Sequence, residues 1–275
     1  MKCVFHHRYM GSAKEEAPAA ITLLGCPLDA TSSFRGGTRF APESIRKASW
    51  TLETYSPYLK QDLDGLLFYD AGDLELRSGD LEYSLDLIRR AAAETAGKDK
   101  KLLALGGEHL IAYPLLEAMK QCVEGVCVVH FDAHCDLRDD YEGQRLSHAT
   151  VMKRVRELGV REILQVGIRS GTRSEFEEAV LVESPAALAT RLDSEAPVYI
   201  SFDMDVFDPS LVAGVTTPEP GGLMFREVID YFAVLKGRRL IGADIVELSP
   251  DYDATFVSSI AAAKVVREML MLLHG

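Results

Sequence analysis

The chain has 275 residues, 47% of them hydrophobic, with a formal net charge of −12 and five cysteines. That acidity argues against recognition of a phosphate backbone, which needs a basic face, and favours cationic partners instead. No apolar run approaches the roughly 18 residues of a membrane span, the start lacks the apolar segment of a secretory signal, and an odd cysteine count without regular spacing points to a reducing cytoplasm.

Residues 20–25 read as a first strand, followed by Cys26-Pro27-Leu28-Asp29 and a polar loop in which Gly36-Gly37 permits unusual backbone angles. Pro42 then starts a short helix. A second strand at 66–69 runs into Asp70 and Asp73, acids that read as caps or turn residues because no histidine lies near them. Ser78 or Asp80 caps a helix to about Ala96, with Leu81, Leu85, Ile88 and Ala92 on one stripe. The third strand, 101–105, ends in Gly106-Gly107-Glu108-His109, and a helix runs from there to Met119. Residues 127–131 are β-branched-rich and stop abruptly at Asp132-Ala133-His134-Cys135-Asp136. A loop over 138–146 leads to Ser147-His148 and a helix to about Leu158. Strands follow at 162–167, at 179–182 and at 198–202, the last ending in Asp203-Met204-Asp205. After a proline- and glycine-rich loop over 208–222, a helix at 225–235 leads to the strand 239–246, closed by Glu247, and the final element, 254–273, is helical. The alternation predicts one α/β domain over 1–275 with a parallel sheet of about eight strands.

Three strands therefore end in His109, in Asp132/His134/Asp136 and in Asp203/Asp205. In a parallel sheet the strand carboxyl ends share one edge, where ligand sites collect. A lone Asp after a strand is ordinarily a cap or turn residue. Six such groups at one edge, four of them carboxylates, are costly without a counter-charge. A thiolate-free, oxygen-rich set suits Mn²⁺ better than structural Zn²⁺. Two ions about 3.5–4 Å apart share carboxylates and activate water, so the expected reaction class is metal-assisted hydrolysis. Strand alternation puts Asp132, His134 and Asp136 on one face and Cys135 on the other, as packing. His130 reads as a core histidine facing away from the ligand side.

These residues resemble a family. GGEH at 106–109, FDAHCD at 131–136, SFDMDVFDP at 201–209 and TPEPGG at 217–222 together resemble the ureohydrolases, the arginase–agmatinase family. GCPLD at 25–29 with Arg35, and Glu247 followed by Ser249-Pro250 and Tyr252-Asp253, extend the likeness over nearly the whole chain. The resemblance implies a three-layer α/β/α fold around a central eight-stranded parallel sheet, and two Mn²⁺ per subunit. His109, Asp132, Asp136 and Asp203 would ligate one or both ions, with His134 and Asp205 completing the set. It implies hydrolysis of a guanidinium group to an amine and urea, with Asp136 also orienting the attacking hydroxide. Glu247 would pair with the planar guanidinium, and His148 would protonate the departing amine. Homotrimers or homohexamers are the family's usual assemblies. Ala149, Leu110 and Val215 depart from residues common in agmatinases, which bears on pocket shape.

Arginase-like members resemble one another in a longer loop carrying a Ser-Gly-Asn segment for the amino-acid carboxylate. Here the loop is compact and carries Asp139, Asp140 and Glu142. An acidic rim repels a carboxylate and favours an amine-bearing tail. The expected substrate is a cationic small-molecule guanidine, agmatine, cleaved to putrescine and urea, with no nucleic-acid or membrane partner. N1-aminopropylagmatine is the next candidate; arginine and guanidinobutyrate follow. From other classes stand a metal-dependent deacetylase, disfavoured by the complete Asp/His set, and a non-catalytic polyamine-binding protein, disfavoured by His148 and Glu247 beside that set.

Overall fold

The computed structural model describes residues 3–4 and 7–275. The first half of the chain forms β1 (Cys3–Val4), β2 (Ile21–Cys26), α1 (Ala41–Ser49), β3 (Tyr55–Ser56), β4 (Gln61–Asp62), β5 (Phe68–Leu74), α2 (Leu81–Ala96), β6 (Lys101–Gly106), α3 (Ala112–Lys120) and β7 (Cys127–Phe131). The second half forms α4 (Val151–Glu157), β8 (Glu162–Val166), α5 (Arg173–Glu178), α6 (Pro185–Arg191), β9 (Val198–Asp203), α7 (Phe225–Leu235), β10 (Leu240–Val246) and α8 (Val257–His274). Local chemistry sets several of these boundaries. The Asp80 carboxylate accepts from the Tyr83 amide to open α2, and Ser184 does the same for α6 immediately before Pro185.

Among the described residues the central sheet has eight strands in the order β1-β5-β2-β6-β10-β9-β7-β8. Every pairing is parallel except β1 with β5, so the sheet is mixed rather than wholly parallel. The eighth strand is β1, not residues 179–182, where Leu181 makes only an isolated bridge to Gln165. Asp70 and Asp73 also differ from expectation. They lie inside β5, not in a turn, because Arg46 of α1 meets them: its Nε is 2.8 Å from Asp70 Oδ2 and its Nη2 3.0 Å from Oδ1, with Nη1 on Asp73 Oδ1. A buried guanidinium supplies the counter-charge that lets two carboxylates stay in a strand.

Helices cover both faces of the sheet, giving the α/β/α layering. Side chains alternate along each strand, so Leu102 and Ala104 of β6 join the core under α2, α3 and α4, whereas Leu103 and Leu105 join the core under α1, α6, α7 and α8. Phe131 and Phe202, the apolar ends of β7 and β9, lie 5.2 Å apart and pack edge-on against Phe232. That aromatic cluster holds the two strand ends side by side just before each chain turns polar. The exit of β2 crosses the exit of β6 at Gly107, where a Cβ would stand 1.8 Å from the Leu28 carbonyl oxygen, so only glycine allows the approach. Among the described residues no helix is long and apolar enough to cross a membrane.

Candidate metal centre and its pocket

β6, β10, β9 and β7 are consecutive neighbours, and their carboxyl ends deliver the acid- and histidine-bearing segments to one place. His109 opens a 3-10 turn after β6, and its amide donates to Glu247 Oε1 at 2.6 Å. The segment after β7 does not stay extended. Asp132 Oδ1 accepts the His134 amide at 2.5 Å, and Asp136 takes a left-handed backbone, φ +54°. Convergence here comes from this turn, not from strand alternation. Asp205 Oδ1 accepts the Ala133 amide at 3.0 Å, and Asp203 Oδ1 accepts the Asp205 amide at 2.7 Å, which ties the β9 end to the β7 end.

The His109 ring shows how closely the carboxylates crowd. Its Nδ1 lies 3.1 Å from Asp132 Oδ2, 3.2 Å from Asp136 Oδ2 and 3.3 Å from Asp203 Oδ2, yet none of these approaches is aligned as a hydrogen bond. The opposite nitrogen, Nε2, is 2.9 Å from Ser201 Oγ, and that hydroxyl gives its own hydrogen to Asp244 Oδ1 at 2.8 Å. Ser201 must therefore accept from Nε2–H, which turns Nδ1 toward the three carboxylates. Three carboxylates converging on one imidazole nitrogen call for a positive charge, and oxygen with imidazole donors suits a hard or borderline divalent ion in place of the proton.

A second group adjoins the first. His134 Nδ1 is 2.9 Å from Asp205 Oδ2 and 3.4 Å from Asp132 Oδ1. Donor atoms of His109, His130, Asp132 and Asp136 form one compact group, and those of Asp132, His134 and Asp205 another, so Asp132 faces both. Titration behaviour follows from how closely these buried groups approach one another. Burial drives Asp203 well above the carboxylate range, and the charges of Asp205 and Asp132 push it further. Burial alone would lower both imidazoles. The carboxylates around them overcome that effect, raising His109 well above its ordinary value and His134 to about 12.

Glu247 follows β10 in a left-handed backbone, φ +63°. It is buried, and its Oε2 accepts from Thr216 Oγ1 at 2.5 Å. Burial is the main reason its carboxyl rises to about 8, and the nearby Glu108 charge adds to it. His148 is positioned by Thr31. That hydroxyl donates to Glu108 Oε1 at 2.7 Å and accepts the His148 amide at 3.0 Å, with His148 Nδ1 at 3.2 Å. Because the Thr31 hydrogen is committed to Glu108, Thr31 can only accept from Nδ1, which also has Ser147 Oγ at 3.4 Å, and Nε2 faces Ser33, 3.5 Å away. His109, His134, Asp136, Asp203, Asp205, His148 and Glu247 line one cavity of about 250 Å³.

Two expectations are corrected. His130 does not face away: its Nε2 is 2.8 Å from Asp132 Oδ2. Residues i and i+2 of a strand share a face, and β7 carries that alternation through to Asp132. The loop acids do not form the pocket rim either. Asp139 is exposed and 3.2 Å from Lys153 Nζ, while Asp140 accepts the Gly143 amide in its own turn. The cavity wall is instead Arg138, Tyr141 and Glu175. Cys135 is buried packing as expected, its thiol pushed up to about 12 by burial. The reading from residue types missed Thr31, Gln165, Thr216 and Asp244; Ser201 and Glu108 were at least inside motifs it singled out.

The Arginase family model matches residues 19–272. An agmatinase of Bacillus cereus is 39% identical over 264 residues, 91% of each chain. An N(1)-aminopropylagmatine ureohydrolase of Thermococcus kodakarensis is 37% identical over 86% of this chain and 84% of its own. The crystal structure of an agmatine ureohydrolase of Thermoplasma volcanium superposes with a TM-score of 0.87 at 32% identity, covering 97% of this chain and 94% of that one.

Proposed function

The chain belongs to the arginase family, and on that premise we propose that this ureohydrolase cleaves agmatine to putrescine and urea at a pair of Mn²⁺ ions. The observation that carries the reading is the convergence of three carboxylates on His109 Nδ1 in a cavity that also holds His148 and Glu247. We assign His109, Asp132, His134, Asp136, Asp203 and Asp205 to the two ions. Divalent cations so held supply Lewis acidity that activates water near neutral pH.

The chain's own groups do the rest. Glu247 has lone pairs remaining beyond those engaged by the His109 amide and Thr216, and they match the paired N–H donors of a guanidinium. Asp136, beside His109, accepts a hydrogen bond from the attacking water and orients it. Water adds to the guanidinium carbon, the bond from that carbon to the tail nitrogen breaks, and the tail nitrogen leaves as the amine. His148 Nε2 takes up the proton that the attacking water gives up and passes it to this nitrogen, while Thr31 holds the ring.

A cavity of about 250 Å³ is small for a ligand site and suits a short linear guanidine. Glu175 in its wall is a buried carboxylate able to meet a tail amine. One observation favours a different tail: Arg138 lines the same cavity, its Nε 3.7 Å from Glu175 Oε2, and could receive a carboxylate such as that of guanidinobutyrate. The test is urea release by the Mn²⁺-loaded protein from agmatine, aminopropylagmatine, guanidinobutyrate and arginine. Highest kcat/KM on agmatine supports the reading; preference for guanidinobutyrate transfers it to the Arg138 alternative. Acetate released from acetylpolyamines, with no urea, would move the protein to the deacetylase class. Assembly as a homotrimer or homohexamer belongs to the same reading and is checked by light scattering.

A further inference from the structure

His130 is fully buried, touches the centre and has no part in the steps above. Its Nε2 is 2.8 Å from Asp132 Oδ2, and its Nδ1 is 3.0 Å from Gln165 Nε2 on the neighbouring strand β8. The same Gln165 nitrogen is 2.9 Å from the carbonyl oxygen of Cys135. A carbonyl can only accept, so the amide must present its NH₂ there, and a flipped amide would set two oxygens against each other. The two Gln165 hydrogens are thus assigned, one to Cys135 and one to His130 Nδ1. An accepting Nδ1 places the ring hydrogen on Nε2, which donates it to Asp132.

We propose that His130 and Gln165 form a positioning pair that fixes the Asp132 carboxylate between the two metal positions. The inference rests on the metal-centre reading above and adds to it which buried groups orient the shared carboxylate. A carboxylate turns readily about its last torsion, which is broad and roughly two-fold. Asp132 is pinned at both oxygens, by the His134 amide on Oδ1 and by His130 on Oδ2. Each oxygen keeps its remaining lone pairs for a cation: Oδ2 on the His109 side, Oδ1 on the His134 side. Gln165 acts twice, because its second hydrogen holds the Cys135 carbonyl inside the turn that carries His134 and Asp136. Partners of this kind fix ligand orientation, and their loss costs metal affinity even though they never touch the ion.

The test uses the full chain stripped of metal and titrated with Mn²⁺ by calorimetry, with the Tm of each metal-free protein measured alongside. His130→Leu removes the donor, Gln165→Met removes the amide at similar volume, and His130→Gln restores an N–H where Nε2 stood. The Kd for Mn²⁺ is expected to rise roughly 10–100-fold in His130→Leu and Gln165→Met and to stay near the parent value in His130→Gln. A purely structural role would not produce that rescue. If His130→Leu does not fold, Gln165→Met against His130→Gln carries the comparison. Parent-like Kd in Gln165→Met, or an affinity loss in His130→Gln at unchanged metal-free Tm, overturns the pair. A parent protein that binds no Mn²⁺ brings down the metal-centre reading itself and this inference with it.

Discussion

Replacing Glu247 by Gln changes one oxygen to an NH₂ while keeping size and shape, which makes it the sharpest probe of substrate recognition. In the structure Oε1 accepts the His109 amide and Oε2 the Thr216 hydroxyl, so both oxygens are already anchored and the carboxylate is aimed into the cavity. The amide can keep one anchor but cannot accept two parallel N–H bonds from a guanidinium. Hydrogen bonds to charged groups contribute about 1.5–3 kcal/mol each, so losing one of the pair costs about 1.5–3 kcal/mol. At 1.36 kcal/mol per tenfold this lowers kcat/KM by about 10–10². The assay is steady-state urea release from agmatine, with manganese content measured on the same preparation because the His109 amide shares the anchor. A parent-like kcat/KM at equal metal content would refute the pairing of Glu247 with the guanidinium.

Three further outcomes follow from the same geometry. In the metal-free protein the Glu247 carboxyl is raised from 4.5 to about 8, so its contribution to stability is complete below pH 4.5 and is lost as pH rises through about 8. Urea denaturation between pH 4 and 9 (a window that spans both values) should show a smaller fall for E247Q than for the parent; equal slopes would reject the shift. Ser201→Ala takes away the acceptor of His109 Nε2–H, and Mn²⁺ affinity by calorimetry should drop roughly 10–100-fold, whereas an unchanged Kd would sever Ser201 from the centre. Thr31→Val removes the shorter contact of His148 Nδ1 and leaves Ser147 Oγ at 3.4 Å, so kcat should fall toward the roughly 10²-fold lower bound for lost proton transfer with KM little changed. Thr31→Ser should restore it, and a parent-like kcat in Thr31→Val would remove Thr31 from the mechanism.

The part of this site that was legible in the sequence is the part encoded by short spacing. Asp132-x-His134-x-Asp136 and Asp203-x-Asp205 follow apolar strands, and adjacent parallel strands bring their ends together whatever the loops do. What spacing could not show is how the chain turns afterwards. Asp136 reaches His109 through a left-handed backbone, which residue type alone does not announce at an aspartate. Loop charge misled for a related reason: Asp139 is satisfied by Lys153 on α4, a partner fourteen positions away whose approach depends on the path of residues 138–150. Arg138, by contrast, turns inward to Glu175, so the cavity wall is a paired cation and anion where a uniformly acidic rim was expected.

The fold shows the same division. Strands buried on both faces announce themselves as apolar runs, and six of the eight in the sheet do so. β5 is cut short in such a reading because Asp70 and Asp73 look like strand terminators until Arg46, 24 positions away, is seen to neutralise them. β1 is two residues long, and its pairing with β5 depends on tertiary position. His130 is the instructive case. Its strand parity already placed it beside Asp132, but only Gln165, from another strand, shows which of its nitrogens faces the carboxylate.

The central claim is that two divalent cations sit side by side where β6, β7 and β9 end. Crystals of the full chain grown with Mn²⁺ and measured at the manganese absorption edge test it directly. The account predicts two anomalous peaks about 3.5–4 Å apart, one against His109 Nδ1 and one against His134 Nδ1, with Asp132 touching both. No peak, or manganese bound away from Asp132 and Asp203, would contradict it.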